Sequence, residues 1–205
     1  MTANAMIHVV DDDASLREAL LDLLDAAGFE ARGYASTGDF LLDPPPDRPG
    51  CVLLDVRLPG PSGLELQGAM QRQGIALPVI FLTGHADVPT SVRAMKAGAV
   101  DFLEKPVQRD TLLDALRRAL ARDAAQRAAR EHAHRQGARL AVLTPREREV
   151  FDRIVAGKLN KQIADELGIG LRTVKAHRAQ LMLKLGVDSA AELGKLAGEL
   201  GDASA

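Results

Sequence analysis

The chain has almost none of the residues that build disulfides and aromatic ligand cages. Among its 205 residues there are one cysteine, one tyrosine and no tryptophan, and aromatic residues make up 3%. A lone Cys51 cannot form an internal disulfide, which is typical of a chain that stays in a reducing compartment such as the cytoplasm. A large aromatic cage around a ligand is excluded by the same scarcity.

The sequence also lacks a long apolar run and a recognisable leader. No stretch approaches the ~20 consecutive apolar residues that a membrane-spanning helix needs. Residues 1–10 contain no basic segment ahead of a long apolar one, as a secretory signal would. Hydrophobic residues at 46% and charged residues at 26% are ordinary for a globular protein. We therefore expect a cytoplasmic protein with no membrane partner.

The charge of the chain is small but unevenly distributed. The total of −2 divides into −6 for residues 1–120, +3 for residues 121–139 and +1 for residues 140–205. This asymmetry predicts two modules with different partners, at 1–121 and 140–205. The segment between them, 122–139, is rich in alanine and arginine, which favour helix. A helical linker is the preferred interpretation, and a disordered tether is the alternative.

The first 106 residues alternate short apolar runs with amphipathic stretches. This alternation predicts a parallel sheet covered by helices on both faces. Beyond it, Asp110 or Thr111 is expected to cap a helix whose leucine stripe docks on the sheet. The predicted strands are Met6–Val10, Glu30–Tyr34, Cys51–Leu54, Pro78–Leu82 and Val100–Leu103, and the predicted helices are Ser15–Ala27, Thr37–Leu42, Leu64–Arg72 and Val88–Ala97.

Four of these strands end in side chains that carry chemistry: Asp11 and Asp12, Asp55, Thr83, and Lys105. In an open parallel sheet, ligands bind outside the carboxyl ends of the strands, where the strand order reverses. If the order is 2-1-3-4-5, the first and third strands are neighbours and their three carboxylates converge. Such a cluster suits Mg²⁺, while a hydroxyl and an ammonium group are suited to phosphoryl oxygens.

Four motifs at these strand ends resemble the receiver domain of response regulators. They read Val-Val-Asp-Asp in the first strand, Leu-Asp-Val-Arg-Leu-Pro-Gly around Asp55, Leu-Thr-Gly-His around Thr83, and Phe-Leu-Glu-Lys-Pro ending at Pro106. The resemblance covers residues 6 to about 120. It implies an α/β fold with a doubly wound five-stranded parallel sheet in the order 2-1-3-4-5. It also implies that Asp55 accepts a phosphoryl group from a sensor histidine kinase.

The same resemblance implies roles for other residues of the pocket. Mg²⁺, or Mn²⁺ in its place, would be bound by Asp11, Asp12, Asp55 and the carbonyl of Arg57. Lys105 would pair with the phosphoryl group, in front of a cis bond to Pro106. Thr83 and Phe102 would switch after transfer, Val92 and Lys96 would contact a second copy in a dimer, and Arg57 and His85 would tune dephosphorylation. Asp13 falls outside this set and is interpreted as a loop acid or a partner of a helix dipole.

From Leu140 onward the pattern predicts only helices, with two short ones joined by a tight turn as in a helix-turn-helix. The segment Leu171–Leu185 contains four Lys or Arg residues and no acid. A basic second helix is suited to the major groove of DNA. By charge alone, a solvated helix face is an equally good interpretation. The predicted helices run from Pro145 to Ala156, from Asn160 to Leu167, from Leu171 to Leu185 and from Ser189 to Leu200.

Three motifs here resemble the LuxR-type helix-turn-helix: Leu-Thr-Pro-Arg-Glu-Arg-Glu-Val at 143–150, Gly-Lys-Leu-Asn-Lys-Gln-Ile-Ala at 157–164, and Thr-Val-Lys-Ala-His at 173–177. The whole chain thus resembles a FixJ/NarL-type response regulator, whose partners would be promoter DNA, a second copy of the chain and RNA polymerase. The resemblance implies that Lys175, Ala176 and Ala179 face the bases, with Lys175 as the main polar reader and Arg178 as a helper. Asn160, Lys161, Thr173 and His177 would lie near the DNA backbone or hold the helices together. Arg172 is a further candidate, for a contact to a DNA phosphate.

Two other function classes fit the sequence less well. A metal-dependent phosphohydrolase often has a second acid two residues after its nucleophile for acid–base work, but that position here is Arg57. We therefore expect no turnover of an external substrate, so that the protein is not an enzyme. A regulator that senses a small molecule is disfavoured by the aromatic-poor front module and its acidic strand ends.

Overall fold

The computed structural model of the chain describes residues 5–43, 45–84 and 87–201. The chain divides into two compact units, residues 1–126 and 127–205. Within the described ranges, no helix combines the length and the apolar character needed to cross a bilayer.

The first unit is built on a five-stranded parallel sheet with the strand order β2-β1-β3-β4-β5. This confirms the predicted doubly wound fold. The register places Val10 beside Leu54, so Asp11 and Asp55 follow at the same level of the sheet. The strands are β1 (Met6–Val10), β2 (Glu30–Tyr34), β3 (Gly50–Asp55), β4 (Val79–Thr83) and β5 (Asp101–Glu104).

Helices cover both faces of this sheet and bury a core on each. Leucines of α1 and α5, including Leu24 and Leu116, pack on one face. Leu66 of α3 and Ala94 of α4 belong to the core on the other face. The predicted docking of the leucine stripe after residue 110 is therefore confirmed. The helices of this unit are α1 (Ala14–Ala26), α2 (Thr37–Leu42), α3 (Gly63–Arg72), α4 (Val88–Lys96) and the first part of α5 (Arg109–Ala141).

Some predicted bounds differ from the structure by a residue or two. Pro78 was placed in the fourth strand, but it has no amide N–H to donate. It joins the sheet only through its carbonyl, which accepts from the Val52 N–H at 2.9 Å. The prediction that Asp110 or Thr111 caps the fifth helix is wrong, because both residues lie inside it. The helix begins at Arg109, and Asp110 lies in its first turn, where an acid interacts favourably with the helix dipole.

The helix α5 is 33 residues long and continues through residues 122–139 without a break. Gly137 lies inside it rather than at its end. A glycine inside a helix costs about 1 kcal/mol relative to alanine. The surrounding alanines and arginines are good helix formers, so one glycine does not end the helix.

Up to residue 201, where the described part of the chain ends, the second unit contains four further helices around one apolar core. Val174, Leu181 and Leu185 are buried in it, as the spacing predicted. Gly168 ends α7 in the left-handed conformation at φ 63°, which L residues with a side chain rarely adopt. This makes the tight turn before the next helix. The helices are α6 (Pro145–Val155), α7 (Asn160–Leu167), α8 (Leu171–Leu185) and α9 (Ala190–Gly201).

Candidate functional site

The carboxyl ends of β1 and β3 bring three acids together. Carboxylate oxygens of Asp11, Asp12 and Asp55 all lie within 4.8 Å of one another. Asp11 and Asp55 are buried, whereas Asp12 is exposed. The convergence predicted from the strand order is confirmed, and the cluster offers both buried and solvent-facing oxygens to a cation.

Lys105 closes the inner side of this cluster. Its Nζ donates to Oδ2 of Asp11 at 2.6 Å and to Oδ2 of Asp55 at 2.5 Å. The backbone places it there, because the Lys105 N–H donates to the Thr83 carbonyl at 2.7 Å and continues the pairing of β4 with β5. The bond from Lys105 to Pro106 is cis, as expected.

Burial and pairing act in opposite directions on the charged groups of the pocket. Burial raises the pKa of Asp11, and the hydrogen bond from Lys105 only partly offsets this. For Lys105, burial favours the neutral amine, but hydrogen bonds to Asp11 and Asp55 outweigh it and raise its pKa. The pocket therefore holds a charged ammonium group in contact with both buried carboxyl groups.

The two buried carboxyl groups are held in matching ways. The second oxygen of Asp11 accepts from the Asp13 N–H at 3.0 Å. The second oxygen of Asp55 accepts from the Arg57 N–H at 2.8 Å. Each carboxyl group is thus fixed by one backbone amide two residues ahead and by Lys105, which orients the pocket before any ligand binds.

Two residues around the pocket have structural roles that the sequence analysis did not assign. Asp13 is the N-cap of α1 and accepts from the N–H groups of Ser15 and Leu16 at 2.9 and 3.1 Å. Gly63 lies so close to β3 that a Cβ atom there would be 2.2 Å from the Asp55 carbonyl oxygen. An acid followed by Ala-Ser is a cap signal that was available in the sequence, whereas the close approach at Gly63 was not.

The two switch candidates lie on the side of the sheet that carries α4. Thr83 is buried at the end of β4. Phe102 is half-buried on β5, with its ring centroid 6.2 Å from that of Phe81. His85 lies outside the described residues. The neighbouring helix α4 exposes Val88 at 74%, Val92 at 44% and Met95 at 47%.

Val88 and Met95 extend the predicted dimer candidates Val92 and Lys96. The three apolar residues of α4 are spaced at i, i+4 and i+7, which places them on one face of a helix. Lys96 is exposed beside them. This spacing was visible in the sequence and would have found both additional residues.

In the second unit, α8 presents a basic surface. His177 and Arg178 are half-buried rather than fully exposed. Lys161, near the start of α7, is exposed. The predicted DNA-facing residues of α8 that are exposed are Arg172, Thr173, Lys175, Ala176 and Ala179.

The motif at 143–150 serves the packing of the helices. Thr144 caps α6 and forms a capping box with Glu147. Oε2 of the buried Glu147 also accepts from Lys184 Nζ of α8 at 2.7 Å. Hydrogen bonds from Lys184 and from the Thr144 backbone hold the pKa of Glu147 below its ordinary value. The conspicuous charges of this motif therefore connect helices within the unit.

Comparison with known proteins assigns both units to families. Residues 7–117 match the family described as response regulator receiver domain. Residues 141–197 match the family described as bacterial regulatory proteins, luxR family. The chain is a response regulator with a LuxR-type DNA-binding domain. Both resemblances seen in the sequence are thereby confirmed.

Relatives share this organisation along nearly their whole length. The transcriptional regulatory protein FixJ of Bradyrhizobium diazoefficiens is 44% identical over 199 residues, which cover 96% of each chain. Nodulation protein W of the same organism is 42% identical, over 98% of this chain and 88% of its own. The solved structure of response regulator StyR matches with a TM-score of 0.82 at 44% identity, over 96% of this chain and 99% of its own. This response regulator is thus a transcriptional regulator of the FixJ-like class.

Proposed function

We propose that Asp55 is the phosphoacceptor of this response regulator. An Asp55 carboxylate oxygen attacks the phosphorus of a phosphohistidine on a sensor histidine kinase, the P–N bond breaks, and the imidazole nitrogen leaves with the electron pair. The observation that carries this proposal is the contact of Lys105 Nζ with both Asp55 and Asp11. A fixed cation beside a carboxylate nucleophile stabilises the charge on the transferring oxygens.

The donor set of the pocket fits Mg²⁺. Clustered carboxylate oxygens, partly open to water, are the hard ligands that this ion prefers, and Mn²⁺ accepts the same donors. Asp11, Asp12, Asp55 and the carbonyl of Arg57 would bind it. When bound, the ion supplies positive charge that stabilises the transferring phosphoryl group.

Transfer changes the charge balance of the pocket, and this change is the signal. Once the Asp55 carboxylate has become an acyl phosphate, Lys105 pairs with the phosphoryl oxygens, and the Thr83 hydroxyl donates to them. The movement of Thr83 frees space into which Phe102 turns, so the phosphoryl group biases a two-state element beside α4. The exposed face of Val88, Val92 and Met95, with Lys96 at its edge, then becomes the contact between two copies of the chain.

Dimerisation presents two copies of α8 to promoter DNA. Lys175, Ala176 and Ala179 face the base edges, while Arg172, Thr173, Lys161 and His177 lie along the backbone. One short recognition helix makes few contacts, so a symmetric pair implies an imperfect inverted repeat as the binding site. The dimer on DNA is available to RNA polymerase. Because Arg57 replaces an acid–base carboxylate, the pocket accepts its own phosphoryl group and turns over no external substrate.

The test is phosphorylation of the full chain with Mg²⁺ and acetyl phosphate, followed by intact mass and light scattering. The wild type is expected to gain one phosphoryl group and to dimerise, whereas Asp55→Asn does neither. The matched control is Asp13→Asn, which keeps an N-cap residue outside the ligand set and should behave as the wild type. A phosphoryl gain by Asp55→Asn at the wild-type rate, or unchanged mass of the phosphorylated wild type in light scattering, would contradict the proposal.

A further inference from the structure

Both ends of α7 are held by arginines from neighbouring helices. At its start, Arg178 Nη1 of α8 donates to Asn160 Oδ1 at 3.0 Å. At its end, Arg146 Nη2 of α6 donates to the Leu167 carbonyl oxygen at 2.8 Å. Hydrogen bonds from a guanidinium group are charge-assisted and stronger than neutral ones. These two contacts therefore fix the helix that precedes the recognition helix.

Beyond the packing of Ile163 in the core, the start of α7 has few polar contacts. Its N-cap is Leu159, which is 70% exposed and has no side-chain oxygen to accept from the first turn. Among the described residues, the side chain that returns to this cap is Gln162, whose Oε1 accepts from the Leu159 N–H at 2.8 Å, within the helix itself. In the part of the chain that the structure describes, the contact of Arg178 with Asn160 is thus the side-chain hydrogen bond that links this end of α7 to α8.

We propose that Arg178 is a positioning residue for base recognition and not a contact to DNA. Arg178 lies three residues after Lys175 and one before Ala179, so its bond to Asn160 sets the angle between α7 and α8 at the level of the base-facing residues. It is half-buried, whereas Lys175 and Ala179 are exposed. This inference rests on the proposed function of α8. It means that discrimination between DNA sequences depends partly on the contact of Arg178 with Asn160, which lies within the protein.

The experiment compares binding of the full chain, treated with Mg²⁺ and acetyl phosphate, to two DNA duplexes. One duplex is the sequence that the wild type enriches from a random pool, and the other has the same composition in scrambled order. Arg178→Met and Asn160→Ala are each expected to lower the affinity ratio between the duplexes by roughly three- to tenfold, and the double variant no further than either single one. The slope of affinity against salt should stay at its wild-type value, because no phosphate contact is lost.

A conservative variant separates positioning from a general loss of structure. Asn160→Asp keeps an oxygen acceptor for Arg178 but adds a negative charge near DNA. It should retain the wild-type affinity ratio while binding both duplexes equally less well. Arg172→Met on the same helix is the matched control, which should weaken both duplexes alike and lower the salt slope by about one.

Each contrary outcome identifies a different failure. If Arg178→Met lowers the salt slope as Arg172→Met does, while Asn160→Ala leaves the affinity ratio unchanged, then Arg178 contacts DNA and the inference is wrong. Additive losses in the double variant would also overturn it. If the wild type enriches no sequence at all, the proposed function fails first, and the inference with it.

Discussion

The two units of this response regulator use charge in opposite ways. In the first unit, Lys105 and its partners Asp11 and Asp55 are withdrawn from solvent, with side-chain exposures of 16%, 1% and 10%. In the second unit, Lys175 and Arg172 are exposed on α8, and the ion pair between the exposed Lys184 and the buried Glu147 holds helices together. A small group such as a phosphoryl is bound by charges inside a pocket, whereas a DNA duplex requires them on the outside.

The two units also differ in what maintains their geometry. The pocket depends on strands that pair over long sequence separations and on close backbone approaches such as Gly63 beside Asp55. The second unit depends on caps and on side-chain links between short helices, such as Arg146 with Leu167. The first should therefore respond to changes at buried groups and backbone contacts, and the second to removal of single polar partners.

The largest expected effect is a pH dependence of stability that is confined to the first unit. His8 is buried on β1, with Nδ1 3.0 Å from the Tyr34 hydroxyl. Burial, with the nearby charges of Arg32 and Arg48, lowers its pKa from 6.5 to about 4. Between these values the unfolded chain binds a proton at His8 and the folded chain does not, so the free energy of unfolding falls as the pH is lowered from 6.5 to about 4. The full contribution is about 3 kcal/mol.

Tyr34 is the only tyrosine of the chain, so its fluorescence follows unfolding of the first unit alone. Denaturant titrations at several pH values should show the fall in the wild type and a flatter dependence in His8→Gln. The same slope in both proteins between pH 6.5 and 4 would show that His8 is not responsible.

The next prediction concerns the exposed charges of α8. Lys175→Ala should cost roughly 1–3 kcal/mol on the enriched duplex and much less on the scrambled one, because it removes a base contact. Arg172→Ala should weaken binding to both alike and lower the salt slope by about one, because it removes a phosphate contact. Titrations at several salt concentrations measure both quantities. Equal losses on the two duplexes for Lys175→Ala would make it a backbone contact.

Substitution of Gly63 in the first unit should change the free energy of unfolding by a similar amount. Gly63→Ala places a Cβ against the Asp55 carbonyl, and such overpacking should lower the free energy of unfolding by roughly 1–3 kcal/mol. Gly68→Ala is the matched control in the same helix, where the nearest atom is the mobile end of Arg72 at 3.4 Å. That change should stabilise α3 by up to about 1 kcal/mol through helix propensity. Tyr34 fluorescence measures the free energy of unfolding of both variants. If it changes with the same sign in both, the contact of a Cβ at position 63 with the Asp55 carbonyl is not the cause.

The smallest expected effect is in the second unit. Lys184→Met removes the partner of the buried Glu147 and should cost about 1 kcal/mol. Lys158→Met breaks a pair with Glu166 in which both side chains are about two-fifths exposed, and it should cost less than about 0.5 kcal/mol. Thermal melting followed by far-UV circular dichroism measures the two costs. The unfolding of the second unit is the transition in which Tyr34 fluorescence does not change. Equal costs would mean that burial of Glu147 adds nothing to its ion pair.

Much of the fold followed from local patterns. Apolar runs that end in acids predicted β1 and β3, leucine spacing predicted which faces are buried, and Thr-Pro-Arg-Glu predicted the start of α6. Errors arose at element ends, as at Pro78 and Asp110, where backbone hydrogen bonding decides the bound. The convergence of Asp11, Asp12 and Asp55 was predictable because strand order places β1 beside β3. The roles assigned to the pocket and to α8 stay predictions.

The sequence by itself determined the two kinds of unit, the strand ends that carry chemistry and the basic character of α8. Periodicity and residue type are properties of residues close together in the sequence, so their effect does not depend on the tertiary arrangement. Only the tertiary structure decided that Lys105 contacts both Asp11 and Asp55, that Gly63 must lack a side chain, and that Arg178 bonds to Asn160 rather than facing outward. Each of these contacts joins separate elements, so it depends on distances and angles that only packing sets.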